Sequence, residues 1–499
     1  MRGPSSSHSA ASARIGRMIF DLCGGTPSTV SIEYDSEGSL ATTHKSQGTD
    51  IGLYGGLLGW QADDARLANS PRIIREQGTK ITLNKPRLDD PHPNTYRIGT
   101  EHLGEVHSFV AISTGGGMIE VLEIDGFSVT LFGDTTTTLC ATDSDASELA
   151  ADLLARGDVD SVTIAGEGPS LVVALSQKQL DLAPRADVTW QRTLRPVLPV
   201  RSRPNMAVPF NHAGELPTSD LDSRPLSDWA IEYECARGGI SESEVLAQAD
   251  RILSIMRSGV EAGLAGTEYD DRILGVQSGR FAELSTAGSL LDGGLLNSMI
   301  AYVTALMEAK SAMHIIVAAP TAGACATFPG ALLATIDSID AAPEAQQRAL
   351  LTGGLVGVFV TNRSSFAAEV GGCQAETGAG AAMAAAALAE LGGGSAAQSL
   401  SAASQSIQNV LGLICDPVGG RVEAPCLGRN VAGAANALCC ANMALAGYDH
   451  LVPLDEALDA HASVGALMAR ELRCTGLGGL AITPTSQRIE LDLGRTTES

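Results

Sequence analysis

Residues 369–376 read Glu369-Val-Gly-Gly-Cys-Gln-Ala-Glu376 and run into a small, apolar stretch from Ala379 to Ala389. A glycine-rich break carrying a cysteine therefore opens a helix made almost wholly of alanine, the strongest helix former. The stretch is far shorter than the ~20 apolar residues that cross a bilayer, so it predicts a buried helix with close neighbours. Working outward, residues from about 228 to 490 keep a helical pattern, with glycine-rich breaks at 353–357, 371–380, 392–394, 419–420 and 476–479. Such breaks let a cofactor approach the backbone, so 228–490 is expected to be an all-α domain built around a bound group.

Toward the N-terminus the pattern changes. Ser12–Leu22 reads as a helix. Ser28–Tyr34, Val106–Thr114 and Met118–Ile124 read as strands, the last two separated by Gly115-Gly-Gly117. Residues 1–127 are expected to form an α+β domain. In 128–180 the order is strand (Thr138–Thr142), helix (Ala146–Arg156), strand (Ser161–Ala165) and strand (Leu171–Leu175), the pattern of a small regulatory-type module. Seven prolines between Pro184 and Pro225 make 181–227 a linker by expectation.

Composition narrows the function. The 499 residues suggest roughly two to four domains. A net charge of −24 would repel phosphate backbones and anionic lipid, so neither nucleic acid nor membrane is an expected partner. No apolar leader follows Met1, so the cytoplasm is the expected compartment, where ten cysteines are reduced thiols or metal ligands. The five lysines are Lys45, Lys80, Lys85, Lys178 and Lys310. None follows position 310, which disfavours Schiff-base chemistry in the helical domain.

Three cysteines sit beside Gly or Pro on expected loops: Cys373, then Cys415 and Cys426 in Leu411-Gly-Leu-Ile-Cys-Asp-Pro-Val-Gly-Gly-Arg-Val-Glu-Ala-Pro-Cys426. Their gaps are 415 − 373 = 42 and 426 − 415 = 11. Iron–sulfur clusters require thiolates on converging loops. On spacing alone, buried structural cysteines in an Ala/Gly core are an equal reading.

The wording around the cysteines decides between the two. Gly372-Cys-Gln-Ala-Glu376, Cys415-Asp-Pro-Val-Gly-Gly420 and Val422-Glu-Ala-Pro-Cys426 resemble the α part of the bacterial iron–sulfur L-serine dehydratases. Gly3-Pro-Ser-Ser-Ser-His8, Gly48-Thr-Asp50, His92-Pro-Asn-Thr95 and Ser113-Thr-Gly-Gly-Gly117 resemble that family's β part. The resemblance runs through most of the chain, in β-then-α order, with an insert where many relatives carry an ACT-like module. It implies a [4Fe-4S] cluster on Cys373, Cys415 and Cys426. It implies an open iron that binds the hydroxyl of a small amino acid, and conversion of L-serine to pyruvate and ammonia in a homodimer or larger homo-oligomer. Ser5, Ser6 and Ser7 are then expected at the substrate carboxylate, with His8 as acid or base; the alternative is a cap for the helix at Ser12. Thr321, Gly323 and Asn362 are further expected substrate contacts. Cys325, Cys439, Cys440 and Cys23 are expected core thiols.

Three departures bear on the substrate. Where relatives carry a histidine before Gly-Thr-Asp, this chain has Gln47. The segment before the first ligand is Asn362-Arg-Ser-Ser-Phe-Ala367, in which Arg363 and Phe366 add charge and bulk. Some relatives end in a cysteine that closes the cluster, whereas this chain ends Thr-Thr-Glu-Ser499. Cys474 is not expected to replace it. The same chemistry on threonine, cysteine or 3-hydroxyaspartate, and an inactive regulatory relative, are the alternatives.

Overall fold

The computed structural model describes residues 1–198, 203 and 206–494. The terminal Thr496-Thr-Glu-Ser499 thus lies outside the described residues. The chain forms two compact units, Ser7–Ala207 with Arg237–Gly239, and Met1–Ser6 with Val208–Ala236 and Ile240–Ser499.

The first unit is α/β and holds two sheets. Strands β1 (Thr29–Glu33), β2 (Lys80–Asn84), β3 (Thr95–His102), β4 (Glu105–Gly115), β5 (Met118–Ile124) and β6 (Phe127–Leu131) line up in the order β2-β1-β3-β4-β5-β6. Only β1 and β2 run parallel. Alternation in β4 puts His107, Phe109, Ala111 and Ser113 inward, as the two-residue period of a half-buried strand requires. The sheet's last strand is β6, so an expected boundary at 127 cuts through it.

Two helices, Ala11–Cys23 and Thr49–Leu57, pack backbone to backbone in this unit. A Cβ on Gly52 would stand 2.0 Å from the Ser9 carbonyl oxygen, and one on Gly56 2.2 Å from that of Ala13. The two helices therefore close to a distance that only glycine permits, which holds the loop before Thr49 against the first turn of the chain. That turn, Ser6–Ala10, is π-helical and continues directly into Ala11–Cys23. No side chain caps the helix at Ala10, because the π-helical turn carries straight into it.

The second sheet joins β7 (Thr136–Thr142), β8 (Ser161–Ala165), β9 (Ser170–Ser176) and β10 (Trp190–Leu194) in the order β10-β7-β9-β8, all antiparallel. The helix Ala146–Leu154 covers it through Ala146, Leu149 and Leu153, against Cys140, Val172 and Ala174. Part of the expected linker is therefore sheet. Pro184 and Pro196 lie outside Trp190–Leu194, which leaves its backbone N–H groups free to pair with β7.

The second unit is mostly helical. The helix Ala379–Leu391 is its axis: from Ala379 to Ala389 every residue is buried. Around it pack Thr327–Ile339, Pro343–Arg363, Ala396–Gln408 and Cys426–Leu445. Alanine on every face lets all four neighbours approach, at the cost of tolerance: one added side chain here meets backbone, and overpacking costs about 1–3 kcal/mol. No helix among the described residues is long and apolar enough to cross a membrane.

Candidate metal centre

In the helical unit, separate chain segments bring Cys373, Cys415 and Cys474 together, and Cys426 lies near enough for its thiol to feel the charge of Cys373. Cys373 follows the short helix Ala368–Gly371 and Gly372, whose φ of +73° and close approach to the Leu413 carbonyl exclude a side chain. Gln374 fastens this turn. Its N–H donates to Leu413 O at 3.0 Å, its Nε2 to His461 O at 2.7 Å, and its Oε1 accepts from Gly412 N at 2.8 Å. Cys415 is held by exchange with a third segment, its N–H donating to Leu472 O at 2.8 Å and its carbonyl accepting from Cys474 N at 3.0 Å. Cys426 opens the helix Cys426–Leu445.

All three cysteines are buried and free of disulfide. Ligand atoms of Cys373, Cys415 and Glu376 lie within 4.8 Å of one another. The thiols share hydrogens. A bond from Cys415, helped by the Arg429 guanidinium, draws the Cys373 thiol below its usual range. Cys415, bonded to both Cys373 and Cys474, is pushed well above it. Burial, then the charge of Cys373, pushes Cys426 up. Cys474, set aside on sequence grounds, therefore joins the thiols; it adopts a φ of +60°, rare for a residue with a side chain.

Two basic side chains are built in. Arg429 places Nη1 3.5 Å from Cys373 Sγ and 2.9 Å from Ile414 O, and Nη2 2.7 Å from Asp416. Lys310 is fully buried and donates to Val422 O; burial lowers its pKa, offset in part by Cys325 and Cys426. Soft, convergent thiols with basic side chains beside them suit a group that prefers thiolate over oxygen, such as an iron–sulfur cluster, rather than a hard divalent ion.

The polar lining completes the site. Glu376 is buried, bonded by Thr321 and raised to about 8, first by burial and then by the charges of Cys373 and Glu369. Gly323 backs it: a Cβ there would stand 2.7 Å from Glu376 Oε2. Ser6 Oγ accepts from Ala322 N at 3.0 Å, and Ser5 is buried in the same unit. Asn430 ties the loop to a cysteine, donating to both Gly323 O (2.7 Å) and Cys426 O (2.8 Å) and accepting from Ala326, Thr327 N and Thr327 Oγ1.

Asn362 does not join this group. It is exposed near the end of Pro343–Arg363 and donates to Asn211 O at 2.7 Å. Arg363 is held by Asp459 through two hydrogen bonds, at 3.1 and 2.8 Å, so it offers no spare fork for a second substrate carboxylate. Phe366 packs on the hydrophobic core. Of the expected core thiols, Cys439 is exposed.

In the α/β unit, Ser7 O accepts from Tyr96 Oη at 3.3 Å, and His8 Nε2 lies 2.7 Å from Thr43 Oγ1. Burial, reinforced by His44, drops His8 to about 3, too low for an efficient base near neutral pH. The imidazole the sequence reading passed over is His44. It is buried, and Asp50 of the Gly-Thr-Asp motif accepts from its Nδ1. A histidine six residues before a motif aspartate was the available signal.

Residues 200–481 match the model of a protein family described as serine dehydratase alpha chain. Lyases of this class are what a helical unit with converging buried cysteines accommodates, and the chain belongs to the serine dehydratase alpha chain family. Among its relatives, the probable L-serine dehydratase alpha chain of Bacillus subtilis (strain 168) is 39% identical over 265 residues, 53% of this chain and 88% of the relative. The L-serine dehydratase alpha chain of Peptoniphilus asaccharolyticus is 38% identical over 266 residues, 53% of this chain and 91% of its own. The L-serine dehydratase TdcG of Escherichia coli (strain K12) is 27% identical over 497 residues, 96% of each chain.

Proposed function

We propose that this protein is an L-serine ammonia-lyase that carries a [4Fe-4S] cluster on Cys373, Cys415 and Cys426 and forms pyruvate and ammonia. The observation that carries this reading is the meeting of buried, unpaired thiols from separate segments in a member of this family. When bound, the cluster supplies a Lewis-acidic iron for the substrate hydroxyl.

The chain's own groups do the rest. Glu376, held by Thr321 and close to Gly323, is a buried carboxyl within 4.8 Å of the Cys373 and Cys415 thiols and the proton donor for the departing oxygen. Ser5, Ser6 and the 321–323 loop supply short polar contacts for the carboxylate of a small amino acid. A base takes the α-proton, the β-hydroxyl leaves as water with the proton from Glu376, and the resulting 2-aminoacrylate tautomerises to the imine and hydrolyses to pyruvate and ammonia. A 3-hydroxyaspartate preference needed a free Arg363, and Asp459 occupies that guanidinium, so serine remains the substrate of choice.

The β10-β7-β9-β8 sheet with its single helix is, in this reading, a reduced ACT-like module. In this reading the enzyme acts as a homo-oligomer in the cytoplasm, where its ten cysteines, none in a disulfide, stay reduced. Anaerobic purification tests the whole reading: a brown protein with about four irons per chain that makes pyruvate from serine is the expected result. A colourless, iron-free protein sinks it.

A further inference from the structure

Arg429 touches the surroundings of all three expected ligands with one side chain. It leaves the helix one turn after Cys426, its Nη1 lies 3.5 Å from Cys373 Sγ, and it is gripped by Ile414 O at 2.9 Å and Asp416 at 2.7 Å, the two neighbours of Cys415. A guanidinium presents its donors as a rigid fork. With one arm fixed by a carboxylate and the other by a carbonyl, it keeps an N–H on sulfur without further loss of side-chain freedom.

We propose that Arg429 is a positioning residue that withdraws electron density from the Cys373 thiolate and so sets the reduction potential and Lewis acidity of the cluster. The inference rests on the cluster reading above. Three thiolates give a four-iron cube a net negative charge, and hydrogen bonds to sulfur together with nearby charge are the protein's levers on its potential. Arg429 acts at Cys373, where its Nη1 reaches the sulfur. A less electron-rich thiolate lowers the electron density of the whole cube and leaves its open iron the stronger acid toward a substrate hydroxyl.

The test removes the charge without stranding its partner. In the double variant Arg429→Gln/Asp416→Asn, two amides replace the ion pair. Anaerobic redox titration of the full-length, cluster-loaded protein, followed by the paramagnetic signal of the reduced cluster, gives the potential. We expect full iron content, a potential shifted to more negative values, and kcat for serine lowered roughly 10–100-fold with a smaller change in KM. Arg429→Lys keeps the charge but loses the fork, and a smaller shift in the same direction is expected; it carries the test alone should the double variant not fold. A variant with full iron and the wild-type potential overturns the proposal while leaving the cluster reading intact. Wild-type protein that binds no iron overturns both.

Discussion

His44 Nδ1 lies 2.9 Å from one oxygen of Asp50 and 3.1 Å from the other. That contact orients the imidazole through Nδ1. His44→Ala is expected to lower turnover of serine by roughly 10²–10⁴-fold, the usual worth of a positioned acid–base group, with iron content unchanged. Gln47→His is expected to change little. A Gln47→His enzyme that is much faster, beside an unimpaired His44→Ala, would return the role to position 47.

Serine cannot replace a thiolate on iron without weakening the bond. Cys373→Ser, Cys415→Ser and Cys426→Ser are each expected to abolish visible charge-transfer absorbance together with activity. Cys474→Ser tests the neighbour of Cys415. Retained absorbance, with activity lost in air and restored by ferrous iron and thiol, means three ligands and one open iron. Lost absorbance in that variant means four protein thiolates.

Gly323→Ala is a steric probe of the lining. Its φ is ordinary, so the cost is contact alone: the new methyl carbon would lie 2.7–3.0 Å from the Glu376 carboxyl. Expected is a folded, iron-loaded enzyme with kcat reduced at least tenfold. Wild-type kinetics in this variant would remove Glu376 from proton delivery.

Burial holds His8 at about 3 against 6.5 for a free imidazole. Its folded pKa is depressed, so the stability gained from a neutral ring is complete above pH 6.5. It is lost as pH falls toward 3, by ~1.4 kcal/mol per pH unit. Thermal melts between pH 7 and 4.5 are expected to show this slope, flattened in His8→Asn. Equal slopes for the two proteins would place the titration elsewhere.

Much of this architecture could be read from residues alone, and the exceptions share a cause. The alanine-rich axis and the strands β4, β5, β8 and β9 declare themselves by period. Strands β2 and β10 do not: Lys80-Ile-Thr-Leu-Asn84 is exposed at alternate positions on a sheet edge, and Trp190–Leu194 lies among prolines. The cysteine segments were legible because glycine and proline mark their loops. Arg429 and Lys310 were not, because their meaning depends on sulfur atoms delivered by segments distant in sequence. Asn362 looked like a site residue for the opposite reason: closeness to Cys373 along the chain does not make it close in space.

The first six residues belong to the helical unit, although some two hundred residues separate them from the rest of it. Met1 O accepts from Ile316 N at 2.9 Å, Arg2 donates to Met313 O at 2.7 Å, and Ser6 receives Ala322 N. A polypeptide starting at Val208 would lack this hexapeptide and leave the loop that carries Thr321 and Gly323 without its edge. Were the gene divided at that point, the two products would have to find each other through a donated peptide, and the loop of Thr321 and Gly323 would be finished only on assembly. A synthetic peptide of that sequence would then act as a complementing fragment, switching on a truncated enzyme in proportion to its concentration.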